Sequence, residues 1–152
     1  MTRAELDSFA AAWSASGPLR FLNMTMSFPE GDRVLIDLPE VLPAQRGGKG
    51  SDAINGGILA AMFDFAIGAT ALLAPPLRRN ATVHMSIDYQ RAVRGNSARC
   101  IARLDRATRA LAFASAEILD EHGTACSRAT GLVSLGDPVD LATWSGSISS
   151  YV

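Results

Sequence analysis

Apolar and polar positions change their spacing several times along the chain, and each change marks an element. Leu6, Phe9, Ala10 and Trp13 fall on one face at helical spacing, Thr2 and Glu5 have the spacing of a capping box, and Gly17-Pro18 closes the segment. A short amphipathic helix over residues 1–17 is predicted. Its polar face lacks the basic residues of a membrane-surface helix, so its apolar face is expected to cover a core. From residue 21 the period drops to two. FLNMTMSF (21–28) sets Leu22, Met24, Met26 and Phe28 on one face, and DRVLIDL (32–38) does the same with Val34, Ile36 and Leu38. PEGD between them reads as a turn.

A glycine-rich loop, PAQRGGKGSD, precedes the most apolar stretch, which predicts one long helix from about Asn55 to about Ala74. Four strand-like segments follow: TVHMSIDYQ (82–90), ARCIARLD (98–105), ALAFASAEILD (110–120) and GTACSRATGLVSL (123–135). In the first, Val83, Met85, Ile87 and Tyr89 alternate with Thr82, His84, Ser86, Asp88 and Gln90, predicting two opposite faces. RATR and EHG are short turns. Strands, one long helix, then an antiparallel meander describe an α+β domain whose curled sheet wraps an apolar helix. The tail (136–152) is weakly patterned, with Trp144 as a possible anchor. Internal repeats, low-complexity segments and linkers are not visible in the sequence.

Composition narrows the class. With 152 residues, 48% of them hydrophobic and 19% charged, and a net charge of -1, the chain is expected to form one soluble domain over residues 1–152. The apolar run from Ile58 to Ala74 is near the lower limit for a bilayer span, but Asp64 sits close to its centre and Pro75-Pro76 ends it. A buried core helix fits better, and no membrane role is expected. The first residues carry Glu5 and Asp7 and lack the pattern of a secretory signal. Cys100 and Cys126 have no metal-ligand spacing, so reduced, buried thiols, a cytoplasmic location and no metal site are expected.

The chemistry centres on INGGILAAMFDFA (54–66). At 100° per residue, Gly57, Ala61, Asp64 and Gly68 share a face, which places a carboxylate where small residues admit a close approach. An apolar setting would suit such a group to acid/base work. Asn55 is a good N-cap, and the free N–H groups of the first helical turn make a ready site for a developing oxyanion. Gly56 and Gly57 let a substrate carbonyl come near.

The block NGGILAAMFDFAIGA, then TVHMSIDYQRAVRGN, then RATGLVSL, resembles the PaaI-like branch of the hotdog-fold acyl-CoA thioesterases across about residues 20–135. That branch shows His-Gly-Gly at the helix start, an acidic residue nine positions after the His, and a later Arg-Pro-x-x-x-Gly-like segment. Here Asn55 replaces the His and Ala92 the Pro. The resemblance implies a hotdog fold that hydrolyses acyl-CoA. Asp64 would be the general base or nucleophile, and Gly57 would offer its N–H to the thioester oxygen. Thr82 would match a hydroxyl that holds the attacking water. Asn55 would stand where the His makes its hydrogen bond.

Helix geometry adds a constraint of its own. Seven residues at about 1.5 Å each separate Gly57 from Asp64 by about 10 Å. A thioester carbon must approach its attacking atom to about 3–3.5 Å while its oxygen meets a donor. One helix cannot serve both ends, so a homodimer or dimer of dimers with sites at the subunit interface is expected.

Residues 78–109 hold eight arginines against Asp88 and Asp105. Coenzyme A phosphates would suit Arg91 and Arg94, with Gly95 allowing a tight turn; Arg46 and Lys49 are weaker candidates. Nucleic acid is not the expected partner, because interleaved aromatics are missing and the protein is not basic. His84 and His122 do not form a dehydratase-like pair with an acid near the helix, and no GxSxG or phosphate-cradling loop occurs. Metal and resident cofactor are not expected, coenzyme A entering only with the substrate. A non-catalytic acyl-CoA binder of the same fold is the alternative reading.

Overall fold

The computed structural model describes residues 1–48 and 50–140. Lys49 and Trp144, both named above, lie outside the described residues. Among the described residues, three α-helices and six β-strands are formed: α1 (Arg3–Ser14), α2 (Gly17–Phe21), β1 (Thr25–Ser27), β2 (Arg33–Leu38), α3 (Gly56–Ala69), β3 (Arg78–Tyr89), β4 (Ala98–Ala107), β5 (Leu111–Asp120) and β6 (Ala125–Pro138). The strands make one antiparallel sheet in the order β1-β2-β4-β5-β6-β3. The sheet curls around α3, as a hotdog fold requires.

The close fit of helix and sheet follows from residue size. Facing α3 the strands bury Ala102, Ala112, Ala114, Ala116 and Ala129, while the helix buries Leu59, Met62, Phe63, Ala66 and Ile67. Bulk on the helix thus meets small residues on the sheet. Each fully buried large side chain contributes about 1.5–3 kcal/mol. The helix comes close at Gly131 on β6, where a β-carbon would stand 2.5 Å from Ile67 Cγ2. The stretch Gly56–Leu73 is long and apolar enough to cross a membrane, but half of it is buried within the fold, which accounts for its composition.

Several predicted boundaries shift. Gly17-Pro18 ends α1 but also begins α2, with proline in the first turn where its missing N–H costs nothing. The strand expected over 21–28 shrinks to Thr25–Ser27, although Met24, Met26 and Phe28 are all buried as their alternation implied. The long helix stops at Ala69 and continues as one 3-10 turn through Leu73. β3 begins four residues earlier than expected, and β6 runs on to Pro138, into the segment read as tail.

Two features prepare the site. The first is that α1 packs on β1, with Ser14 Oγ accepting the Met26 N–H at 2.8 Å and Phe9 stacked on Trp13 at 5.3 Å between ring centroids. The second is that β3, twelve residues long, is an edge strand with one side unpaired. Val83 and Tyr89 on it are 55% and 51% exposed.

Candidate active site

α3 begins where it does because Asn55 caps it. Asn55 Oδ1 accepts the Gly57 N–H at 2.8 Å, and the Asn55 carbonyl accepts from Ile58 at 3.0 Å and Leu59 at 3.2 Å. Of the first four N–H groups, only that of Gly56 has no hydrogen-bond partner among the described residues. The donor expected at Gly57 is therefore engaged, and the open one lies one residue earlier. The amide nitrogen of Asn55 also has no partner among the described residues, and it stands at the same exposed helix end. Tyr89 fixes this end to the sheet edge: its hydroxyl donates to the Gly56 carbonyl at 2.8 Å.

Asp64 lies two turns further along α3, about 12 Å from Gly56 at 1.5 Å per residue. It is exposed, contrary to the buried setting expected from the neighbouring sequence. Its neighbours Phe63 and Ala66 point into the core, whereas its own face looks toward a half-open cavity of about 260 Å³. Asp64, Asn80 and Thr82 give this cavity a polar wall. Phe9, Trp13, Met26, Phe65 and Leu72 give it an apolar one.

Thr82 reaches that wall through a backbone irregularity. The pairing of β3 with β6 runs Thr82 to Val133 and then His84 to Leu132, so Val83 is an extra residue, a β-bulge. The bulge reverses the alternation of the strand. Before it Asn80 and Thr82 are half-buried, and after it Met85 and Ile87 are. Strict alternation had put Thr82 and Met85 on opposite faces; the bulge turns both inward. Thr82 Oγ1 comes so near to α3 that a β-carbon on Gly68 would lie 3.3 Å away.

The arginines expected to meet phosphates divide. Arg94 is ion-paired with Asp52, and Arg46 Nη1 donates to the carbonyls of Asp52 at 2.7 Å and Gly95 at 2.6 Å. These contacts clasp the glycine-rich loop onto residues 94–96 and offset the charge of Arg94. Arg91 is exposed and has no ion pair among the described residues. Gly95, at φ +98°, serves the turn: a β-carbon there would collide with the Glu121 carboxylate at 2.4 Å. No cluster of metal-ligating side chains occurs among the described residues.

One chain thus brings together Asp64, Thr82 and Gly68, and separately Asn55, Gly56, Gly57 and Tyr89. It does not bring these two groups to each other. Sequence reasoning missed Tyr89, whose exposed ring with a polar tip at a strand end was the available signal. It read Phe9 and Trp13 as covering a core, which they do, Phe9 being buried and Trp13 packed against the core; their second role as a pocket wall leaves no separate trace, because a helix face turned to a pocket has the same periodicity as one turned to a core.

Comparison with known proteins agrees with this fold. The sequence profile described as thioesterase superfamily matches residues 52–127, half of the chain. No curated protein matches in sequence. Among solved structures, a Shewanella oneidensis protein related to the thioesterase superfamily is similar with a TM-score of 0.79 at 23% identity, covering 88% of this chain and 97% of its own. The Escherichia coli PaaI protein from the phenylacetic acid degradation operon gives 0.76 at 14% identity, covering 91% and 99%. Zebrafish thioesterase superfamily member 2 gives 0.74 at 19%, covering 90% and 99%. At these identities the likeness establishes the shared fold.

Proposed function

The chain belongs to the thioesterase superfamily, membership that supports thioester hydrolysis in general, and we propose that it hydrolyses acyl-CoA thioesters to a free acid and coenzyme A. The observation that carries this reading is the cavity of about 260 Å³ with Asp64 and Thr82 in its wall. An exposed carboxylate and a hydroxyl beside an apolar recess are what a water-driven attack on an acyl group needs.

The site is composite, built by two copies of the chain. β3 offers a long unpaired edge, which invites pairing with another strand. Thr82 stands in the first half of β3, and Tyr89, with Gly56 behind it, at its end. Antiparallel pairing of two β3 strands about a centre near Met85 carries the Gly56 end of one protomer toward the Asp64 and Thr82 region of the other. Neither group needs to cross the 12 Å or so that separates them along one helix. We propose a homodimer, or a dimer of dimers, on this ground.

In the site, the thioester oxygen accepts the Gly56 N–H, strengthened by the positive end of the α3 dipole and assisted by the Asn55 amide. Asp64 of the other protomer takes a proton from a water held by Thr82. The hydroxide adds to the thioester carbon, and collapse expels the coenzyme A thiolate, which takes up the proton from Asp64. In the nucleophilic variant the carboxylate itself adds, the coenzyme A thiolate leaves, and water then opens the mixed anhydride, its proton passing to the thiolate and the Asp64 carboxylate being restored. Gly57 supports the donor from the next position, its own N–H engaged by Asn55. Arg91 serves the phosphates of coenzyme A, with Arg94 and Gly95 shaping the turn around it. The reaction draws on no metal or redox cofactor. The buried, uncrosslinked cysteines suit a cytoplasmic location.

Thiol release from a panel of acyl-CoA thioesters by the wild type and by Asp64→Asn tests the reading. Hydrolysis by the wild type, lost in a folded Asp64→Asn protein, supports it. Full activity in that variant sinks the mechanism, and binding without hydrolysis in the wild type favours the non-catalytic acyl-CoA binder.

A further inference from the structure

The half-open recess beside Asp64 is walled on one side by a part of the chain that the proposed catalysis does not use. Phe9 and Trp13 of α1 line it, their rings stacked with an interplanar angle of 21°. The helix that carries them is held in place by its own contacts: Leu6 and Ala10 are buried, and Ser14 is hydrogen-bonded to the backbone of Met26, another lining residue. Such a wall has little freedom to withdraw. The polar groups of the recess lie on the opposite elements, α3 and β3, so a thioester carbonyl at Asp64 directs its acyl group toward the aromatic pair.

Resting on the acyl-CoA reading above, we propose that α1, through Trp13 and Phe9, is the gauge of the acyl group and restricts the enzyme to compact apolar acyl groups of at most about ten carbons. The limit follows from volume. A cavity of about 150 Å³ holds benzene, so 260 Å³ holds on the order of ten carbons as a ring-bearing or short aliphatic group. A long fatty acyl chain outgrows these walls, and must either displace the Trp13 ring from its stack with Phe9 or leave its apolar carbons in water. The aromatic faces also favour an acyl group that is itself apolar, since a polar one would lose hydrogen bonds to water without replacement.

The test is the chain-length profile of kcat/KM for butyryl- to palmitoyl-CoA, with phenylacetyl-CoA added, in wild type and Trp13→Ala. The wild type is expected to peak at or below ten carbons and fall about tenfold or more by dodecanoyl-CoA. Trp13→Ala is expected to shift the peak by about two to four carbons toward longer chains, the room left by the indole. Equal wild-type turnover of palmitoyl- and hexanoyl-CoA, or an unchanged profile in folded Trp13→Ala, overturns the gauge.

A second measurement needs neither catalysis nor a folded truncation variant. In Trp144→Phe, Trp13 is the one remaining tryptophan. Titration with a non-hydrolysable hexanoyl-CoA thioether is expected to change its emission, whereas coenzyme A alone is not. Loss of hydrolysis with this response intact refutes the enzymatic reading and keeps the pocket assignment. A thioether that binds without changing the emission refutes the gauge.

Discussion

Asn55 Oδ1 accepts the Gly57 N–H at 2.8 Å, and this bond leaves Gly56 as the residue with the first open donor of α3. One side chain thus performs two tasks with two different atoms. Its oxygen caps the helix, and its amide nitrogen, without a partner among the described residues, is left at the same exposed helix end.

The two tasks separate by substitution. Asn55→Ala loses the cap and is expected to cost about 1 kcal/mol, read from the denaturant midpoint. Asn55→Asp keeps the capping oxygen but removes the N–H₂ donor and adds a negative charge next to the oxyanion. It is expected to retain stability while kcat/KM falls at least about tenfold. Unchanged kcat/KM in a stable Asn55→Asp would assign Asn55 to capping alone.

The composite site predicts complementation between inactive chains. Gly56→Pro removes the open N–H at the first helical position, where proline is well accommodated, and Asn55 already has the extended backbone that precedes proline (φ -61°, ψ 136°). Asp64→Asn removes the acid. Each variant alone should be inactive, and an equal mixture refolded together should recover about one quarter of wild-type activity, from the single intact site of each mixed dimer. No recovery from properly mixed dimers would place both groups in one chain's site.

Thr82 and Gly68 are fitted to each other. A methyl group at Gly68 would stand 3.3 Å from Thr82 Oγ1, so Gly68→Ala must displace the hydroxyl by a few tenths of an ångström. Gly68→Ala should lower kcat several-fold with little loss of helix stability, since alanine favours a helix by about 1 kcal/mol over glycine. Thr82→Val should produce a similar or larger fall, and Thr82→Ser a smaller one. Unchanged kcat in all three removes Thr82 from the mechanism.

Asp120 sets an acid limit on the β5–β6 turn. The Thr124 N–H, and then that of His122, hold its carboxyl below the ordinary value of 3.8. A group depressed in the folded state supplies stability that is complete above that ordinary value and is lost as pH falls through the lower folded one. Asp120→Asn should therefore flatten the fall in stability below about pH 4, measured by urea unfolding at several acidic pH values.

Burial pushes the Cys100 thiol well up, with Glu117 adding to it, and burial likewise raises Cys126, with Asp120 adding to it. Neither is a ready thiolate at neutral pH. A disulfide thiol reagent should label the native protein slowly and both cysteines promptly after unfolding. Rapid native labelling would show that the sheet opens locally around them.

Periodicity was enough to foretell a sheet around one apolar helix, because burial on one face of each element imposes a spacing that any window of residues displays. The helix start at Asn55, the carboxylate at position 64 and their separation along the axis were likewise legible, since capping chemistry and helical rise are local properties. What local pattern could not contain was the outcome of packing. The extra residue at Val83 reverses the facing of β3 and brings Thr82 to the cavity. Asn55 has a choice of hydrogen bonds, and the one it makes decides which glycine keeps an open donor. Phe9 and Trp13 meet the definition of a core face, and only the position of α1 over the end of α3 makes them a pocket wall. These depend on contacts between residues far apart in the chain, whose energies are settled by the assembled fold and leave no periodic trace in the sequence.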